Sequence, residues 1–187
     1  MGRVFYSINI TLDGCVDHTM GLPDEETHAY ATEMIARTGA LLLGRVTYGL
    51  MEDGWRSVAE TGIQPDWMTD WMVPFARTIH AARKYVVSDT LESADWNRTE
   101  LLRSADLIPT VERLKRELGE ISVGGAAMPL TLAQHGLIDQ YEFIINPRIA
   151  GRGPTLFDGL SKAVDLKLVG THRFSGGAMA LKYDVVR

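Results

Sequence analysis

Two glycine-bearing turns, Gly44-Arg45-Val46-Thr47 and Gly124-Gly125-Ala126, each follow a short stretch that reads as a buried strand, Ala40 to Leu43 and Ile121 to Val123. Glycine lets backbone N–H groups approach an anion closely, and a helix opening after such a turn points its free N–H groups and positive dipole end outward. Arg45 adds a permanent cation and Thr47 a hydroxyl, so the two turns together suit the phosphates of a nucleotide. Each glycine is equally what a tight strand-to-helix turn requires. Neither turn matches G-x-G-x-x-G or G-x-x-x-x-G-K-[ST], which argues against Rossmann-type binding and P-loop hydrolysis. Ser88 closes a third run, Lys84 to Val87, and gains interest from its company; alone it reads as a turn residue.

For acid–base work the candidates are Glu25, Glu26 and His28, beside Asp24 in one short stretch. A carboxylate or imidazole at a helix start facing a cleft can hold a proton at a tuned pKa. N-capping and a solvated first turn account for at least two of the three acids. The five histidines show no H-E-x-x-H or paired spacing, so no metal centre is expected. Cys15 is the only cysteine, which excludes an internal disulfide and any multi-cysteine zinc site. Arg152, in the loop Ala150-Gly151-Arg152-Gly153, is a candidate for holding an anionic substrate group and reads otherwise as an exposed loop arginine. Trp67, Trp71 and Phe75 form a stripe best read as helix core or a contact between copies, with a substrate wall as the lesser reading.

The elements that must position these groups follow from the hydrophobic pattern. Val4, Tyr6, Ile8 and Ile10 alternate with Phe5, Ser7, Asn9 and Thr11, a strand signal, and Leu12 to Gly21 reads as a loop. Pro23-Asp24-Glu25-Glu26 opens a helix that Gly39 stops, with Tyr30, Met34 and Ile35 on its apolar face. A helix follows Gly44, another carries the tryptophan stripe, a third runs from Pro109 to Leu118 and a fourth from Met128 to Gln134. Ala40–Leu43 has the unbroken apolar character of a strand covered on both faces, and Lys84–Val87 and Ile121–Val123 read as further short strands. Tyr141–Ile145, Leu166–Phe174 and Ala178–Val186 read as strands without a long helix among them, an antiparallel final third. The pattern predicts a three-layer α/β fold, its mixed sheet parallel in the centre and antiparallel at one edge, as a single domain over 1–187.

With 187 residues the chain can bury a sizeable core unaided. Its 19 Lys+Arg against 24 Asp+Glu leave a net charge of −5, a poor balance for a nucleic-acid or anionic-membrane binder. No stretch has the length and apolarity of a membrane span, and the first residues lack a signal-peptide core, so a cytoplasmic location is expected.

The ordered set Ser7 to Gly14 with its Leu12-Asp13-Gly14 turn, Leu43 to Tyr48, Val86-Val87-Ser88, Val123 to Ala126, Gly136-Leu137-Ile138-Asp139 and the Pro147–Phe157 glycine loop resembles the dihydrofolate-reductase-like superfamily. Within it, the chain is similar to the reductase domain of the bifunctional riboflavin-biosynthesis deaminase-reductase and its stand-alone bacterial relatives. The resemblance covers nearly the whole chain and implies a three-layer α/β/α fold of that type. It implies NADPH as cofactor, with Gly44, Arg45, Val46 and Thr47 at the phosphates and the adenosine 2′-phosphate. Ser88 would lie by the adenosine half, and Gly124, Gly125 and Ala126 by the pyrophosphate. Asn9 and Ile10 would lie near the nicotinamide, with the Asp13-Gly14 loop closing over it.

The implied reaction is hydride transfer to a small heterocyclic or ribosylamino-pyrimidine substrate, in a homodimer. Two other readings are a dihydrofolate reductase and a non-catalytic nucleotide-binding relative. Met20-Gly21-Leu22-Pro23 lacks the tryptophan that precedes the helix in dihydrofolate reductases. Counting back from Gly44 puts His28 at the family's acid position, whereas aligning on Leu22-Pro23 puts Glu25 or Glu26 there, so the acid stays open. Asp89 sets an anion where a 2′-phosphate is expected. One cysteine cannot build the zinc signature of the deaminase half.

Overall fold

The computed structural model describes residues 2–187. Eight strands form one sheet in the order β4-β3-β2-β5-β1-β6-β8-β7. They are β1 (Arg3–Thr11), β2 (Ala40–Gly44), β3 (Lys84–Val87), β4 (Thr99–Leu102), β5 (Glu120–Gly124), β6 (Gln140–Asn146), β7 (Leu166–Arg173) and β8 (Met179–Val185). The helices are α1 (Glu25–Arg37), α2 (Arg45–Thr61), α3 (Val73–Ala81), α4 (Leu107–Glu117) and α5 (Ala127–Gln134). β4 through β6 in that order are all parallel; β8 runs antiparallel to β6 and β7 antiparallel to β8.

The sheet is mixed, as the pattern predicts, with two differences. β6 pairs in parallel with β1 from Phe5↔Gln140 to Thr11↔Asn146, so the antiparallel part is confined to β7 and β8. β4 does not stand out in the sequence, because Thr99 and Glu100 break its apolar character and it is an edge strand paired on one side only.

Alternate residues of the central strands face opposite layers. Val4, Tyr6, Leu42 and Val123 pack with Leu114 of α4 and Leu132 of α5, while Leu41, Leu43 and Val86 pack with Ile35 of α1, Tyr48 of α2 and Ile79 of α3. α1 begins with a capping box in which the Asp24 carboxylate accepts from the Thr27 N–H at 2.8 Å and the Thr27 hydroxyl accepts from the Asp24 N–H at 2.9 Å. The helix ends at Arg37, and Gly39 is not its left-handed stop. Gly39 serves close approach: a Cβ there would lie 2.2 Å from the Leu118 carbonyl oxygen. The tryptophan stripe is broken, since α3 starts only at Val73 and Trp67 is left 56% exposed.

At the end of the sheet opposite the strands' carboxyl termini, Asp139 ties three segments together. It accepts from the Val4 N–H at 2.8 Å, the Lys115 ammonium at 2.6 Å and the Arg187 guanidinium at 2.5 Å. Burial works against its charged form, but these donors outweigh burial and hold the carboxyl below its usual range. Asp139→Ala is expected to cost about 3 kcal/mol in urea unfolding, chiefly because Lys115 is left buried and unpaired. Because the folded pKa is depressed, this stability is present above the ordinary carboxylate range and fades as pH falls through the folded value. A wild type and variant that converge only under acid conditions would bear this out; a pH-independent gap would refute it.

Candidate active site

Because six neighbouring strands run parallel, their carboxyl ends share one edge, and the helices that follow open there. Along that edge the candidates stand in the order Ser88, Gly44–Thr47, Gly124–Ala126 and Asn9–Gly14. α2 and α5 both start without a side-chain cap, leaving first-turn N–H groups to the edge, whereas α1 is fully capped by Asp24. Gly44 has open space where a Cβ would be. Gly125 adopts φ +93°, and a Cβ there would lie 2.6 Å from the Thr47 hydroxyl oxygen. The two glycine turns are therefore interlocked. The Tyr6 hydroxyl fixes the second from below by donating to the Gly125 carbonyl at 2.9 Å, and burial, reinforced by Tyr141, keeps that phenol protonated. Arg45, Val46 and Ala126 are exposed on the rim. Uncapped helix starts, a close-approach glycine at Gly125 and an exposed arginine fit a dinucleotide's phosphates.

The Ser88 hydroxyl is engaged locally, accepting from the Thr90 and Leu91 N–H groups. Arg103, at the end of β4, donates to the Ser88 and Leu91 carbonyls at 2.7 and 2.9 Å and holds this turn in place. The Asp89 carboxylate accepts from the Ser104 N–H at 2.9 Å, and the Ser104 hydroxyl, then that N–H, with Arg103 close by, lowers its pKa. The anion beside the expected 2′-phosphate position thus has its own partners. Arg103 and Ser104 carry no signal of their own in the sequence, and the strand they follow, β4, carries none either.

At the β1 end, Asn9 is exposed and Ile10 half-buried. Asp13 is clasped to the glycine loop after β6, accepting from the Ala150 and Gly151 N–H groups at 3.0 and 2.7 Å. The Thr11 hydroxyl, followed by those two N–H groups, lowers its pKa to about 2. Leu12 N–H to Arg148 O and Val16 N–H to Pro154 O extend the clasp. Gly14, at φ +83°, makes the turn possible, and Arg152 lies exposed on the same clasp. Asn146 ends β6, donating to the Ile10 carbonyl and accepting from the Leu22 N–H, so the start of α1 is tied to the same corner.

The three acid–base candidates diverge. On a helix, positions 25, 26 and 28 point in different directions, about 100° per residue apart. Glu25 is exposed. Glu26 accepts from the Ser175 N–H and hydroxyl at 2.7 and 2.6 Å and faces His172 at 3.6 Å, bracing the β7–β8 hairpin; the Ser175 bonds pull its pKa down. His28 sits among Trp55, Trp71 and Phe75 with ring centroids 5.7, 4.9 and 5.4 Å away. Its Nδ1 is buried and finds no partner among the described residues, and burial lowers its pKa despite Asp24.

The sequence reading overlooked a buried carboxylate. Glu142, fully buried in mid-β6, accepts from the Tyr30 hydroxyl at 2.5 Å and the Ser7 hydroxyl at 3.0 Å, with the Lys182 ammonium 3.2 Å away. The available signal was a lone charge inside the apolar run Tyr141–Ile145.

The RibD C-terminal domain family matches residues 3–180. The chain belongs to that family. Among relatives of this RibD-type domain is the uncharacterized protein YyaP of Bacillus subtilis, 26% identical, with 97% of this chain and 94% of that protein covered. The fold is shared with the diaminohydroxyphosphoribosylaminopyrimidine deaminase/5-amino-6-(5-phosphoribosylamino)uracil reductase of Thermotoga maritima (TM-score 0.66, 18% identity). That match covers 99% of this chain and 57% of the other. It is shared as well with the Enterococcus faecalis dihydrofolate reductase complexed with NADP(H) (TM-score 0.64, 14% identity, 100% and 98% covered). The domain therefore has the dihydrofolate-reductase-like α/β fold that the motif order implied. Among the described residues no helix is long and apolar enough to cross a membrane.

Proposed function

We propose that this RibD-type domain, taken as one unit over 1–187, is an NADPH-dependent reductase. Its substrate would be a small heterocycle of the ribosylamino-pyrimidine class. The observation that carries the reading is the interlock of Gly125 with Thr47 between two uncapped helix starts, inside a chain of this family. Bound there, reduced nicotinamide would supply the hydride. Gly44, Gly124, Gly125 and Ala126 would seat the pyrophosphate through backbone N–H groups, Thr47 through its hydroxyl, and Val46 would cover it. Arg45 would meet the adenosine 2′-phosphate and Ser88 the adenosine side. Asn9 and Ile10 would face the nicotinamide, the Asp13–Gly14 clasp would keep water from it, and Arg152 would receive an anionic substrate group. The exposed apolar residues Leu166, Leu168 and Val169 of edge strand β7 support a homodimer.

Titration of reduced nicotinamide fluorescence, followed by its oxidation in the presence of 5-amino-6-(5-phosphoribosylamino)uracil, tests the reading. Absence of NADPH and NADH binding would refute it. Arg45→Ala is expected to weaken NADPH about tenfold and NADH by much less, since only the former carries the extra phosphate. Equal losses would remove Arg45 from that role.

A further inference from the structure

The acids at the start of α1 leave the reaction's proton without a source, and the Tyr30–Glu142 pair offers one. We propose that the Tyr30 phenol delivers the proton that accompanies hydride transfer, with Glu142 as its positioning residue; this rests on the reductase reading above. Side chains alternate along a strand, so Ser7 shares its sheet face with Asn9, roughly 7 Å further along at 3.3 Å per residue. Glu142 pairs with Ser7, and Ile144, beside Tyr30 in the apolar cluster, pairs with Asn9. The phenol thus lies on the face of the sheet that carries Asn9, under α1 and below the edge where the nicotinamide is proposed to sit. Its ring packs against the Phe174 ring at 5.3 Å, edge-on, and the His172 ring, stacked at 5.4 Å, both from the β7–β8 hairpin and themselves in contact at 4.6 Å. A half-buried tyrosine packed against two rings and bonded to a fully buried carboxylate is held in one orientation, unlike the exposed Glu25.

The chemistry balances. Two electrons and a hydrogen arrive on the acceptor carbon as hydride from the reduced nicotinamide, and the carbon–heteroatom π bond opens onto the heteroatom. The Tyr30 hydroxyl turns its one proton from Glu142 towards the heteroatom, and its O–H bond breaks as the heteroatom–H bond forms. The phenolate left behind is offset by the Lys182 ammonium, which shares Glu142 Oε1 with the phenol, and water returns the proton. Burial, followed by the bond to Glu142, holds the phenol's pKa well above its ordinary value, so the proton stays in place until hydride addition makes the heteroatom strongly basic.

The charged or titratable groups facing the phenol are Glu142 of β6, Lys182 of β8 and His172 of β7; Arg37 of α1 acts on it at longer range. Removing the carboxylate's charge in Glu142→Gln lowers the phenol's pKa, which shifts the alkaline limb of a kcat profile to lower pH. A merely structural role would lower kcat without moving that limb.

The test uses full-length protein carrying fluorotyrosine, with the Tyr30 resonance assigned by its loss in Tyr30→Phe. Saturating NADPH is expected to move that resonance by more than its linewidth; an unmoved resonance in protein that binds NADPH overturns the proposal and leaves the reductase reading standing. Protein that binds no NADPH overturns both. With 5-amino-6-(5-phosphoribosylamino)uracil as acceptor, Tyr30→Phe is expected to lose about fiftyfold in kcat with its NADPH affinity unchanged. A kcat within threefold of wild type overturns the assignment of the proton to Tyr30.

Discussion

Gly125→Val is expected to weaken NADPH binding by on the order of a hundredfold and to lower stability by about 2 kcal/mol. The backbone at this position has φ +93°, and the new Cβ would lie 2.6 Å from the Thr47 hydroxyl oxygen and 3.6 Å from the Thr47 Cβ. Strain at a non-glycine residue with positive φ accounts for the stability loss. The affinity loss has a different origin. The turn cannot retreat into the sheet without breaking the Tyr6 bond to the Gly125 carbonyl, so the displacement falls on the first turn of α2, where the phosphates are proposed to lie. Gly62→Ala provides the control, because Gly62 has φ +74° with open space around its Cβ position at the far end of α2. It should lose about 1 kcal/mol and keep its NADPH affinity. Equal affinity losses in both variants, read by fluorescence titration, would put the effect in general stability and not in the interlocked turns.

Lys84→Met is expected to destabilise the fold by about 3 kcal/mol, although it trades a buried charge for an apolar chain of similar length. The fully buried ammonium donates to the carbonyls of Ile79, His80 and Ala82 at 2.9, 3.1 and 2.8 Å, closing the C-terminal turn of α3, and lies 4.5 Å from the centroid of the Trp96 ring. Methionine leaves those carbonyls without this donor at the negative end of the helix dipole. Burial, with the like charge of Arg98, brings the ammonium's pKa from the ordinary 10.5 down to about 8. Between those values the unfolded chain binds more protons than the folded one, so this group's contribution rises with pH from about 8 towards 10.5 and falls away as pH drops through 8. Urea unfolding at pH 7 and pH 9.5 should show wild type gaining stability relative to the variant at the higher pH. Parallel pH dependences would remove Lys84 as the source.

The elements that position the cleft were legible where the local pattern was strong. The period-two alternation of Val4 to Thr11 marks β1, and the apolar run at Ala40 and the short strand patterns at Lys84 and Ile121 mark strands covered by helices on both faces, as the two core layers bear out. Thr99–Leu102 did not, because a four-residue edge strand needs apolar side chains on one face at most. The local pattern groups β6 with the antiparallel hairpin, because nothing within Gln140–Asn146 records that its long-range partner is β1.

The acid–base group is the sharper case. Glu25, Glu26 and His28 drew attention because acidic residues at a helix start are a local signal, yet that signal equally marks capping and hairpin bracing. Glu142, Tyr30 and Ser7 come from three separate elements, and each alone is an ordinary strand or helix residue.

From the order of its glycine turns and strands, the sequence alone determined the α/β fold and the RibD-type family, since turn chemistry and side-chain periodicity are local properties. Only the tertiary structure decided which turns interlock, that Asp13 clasps the loop at Ala150, and that a carboxylate on β6 meets a tyrosine on α1. Those contacts join residues far apart in the chain, 137 positions for Asp13 and Ala150 and 112 for Tyr30 and Glu142, and their geometry is set by sheet pairing and helix packing together.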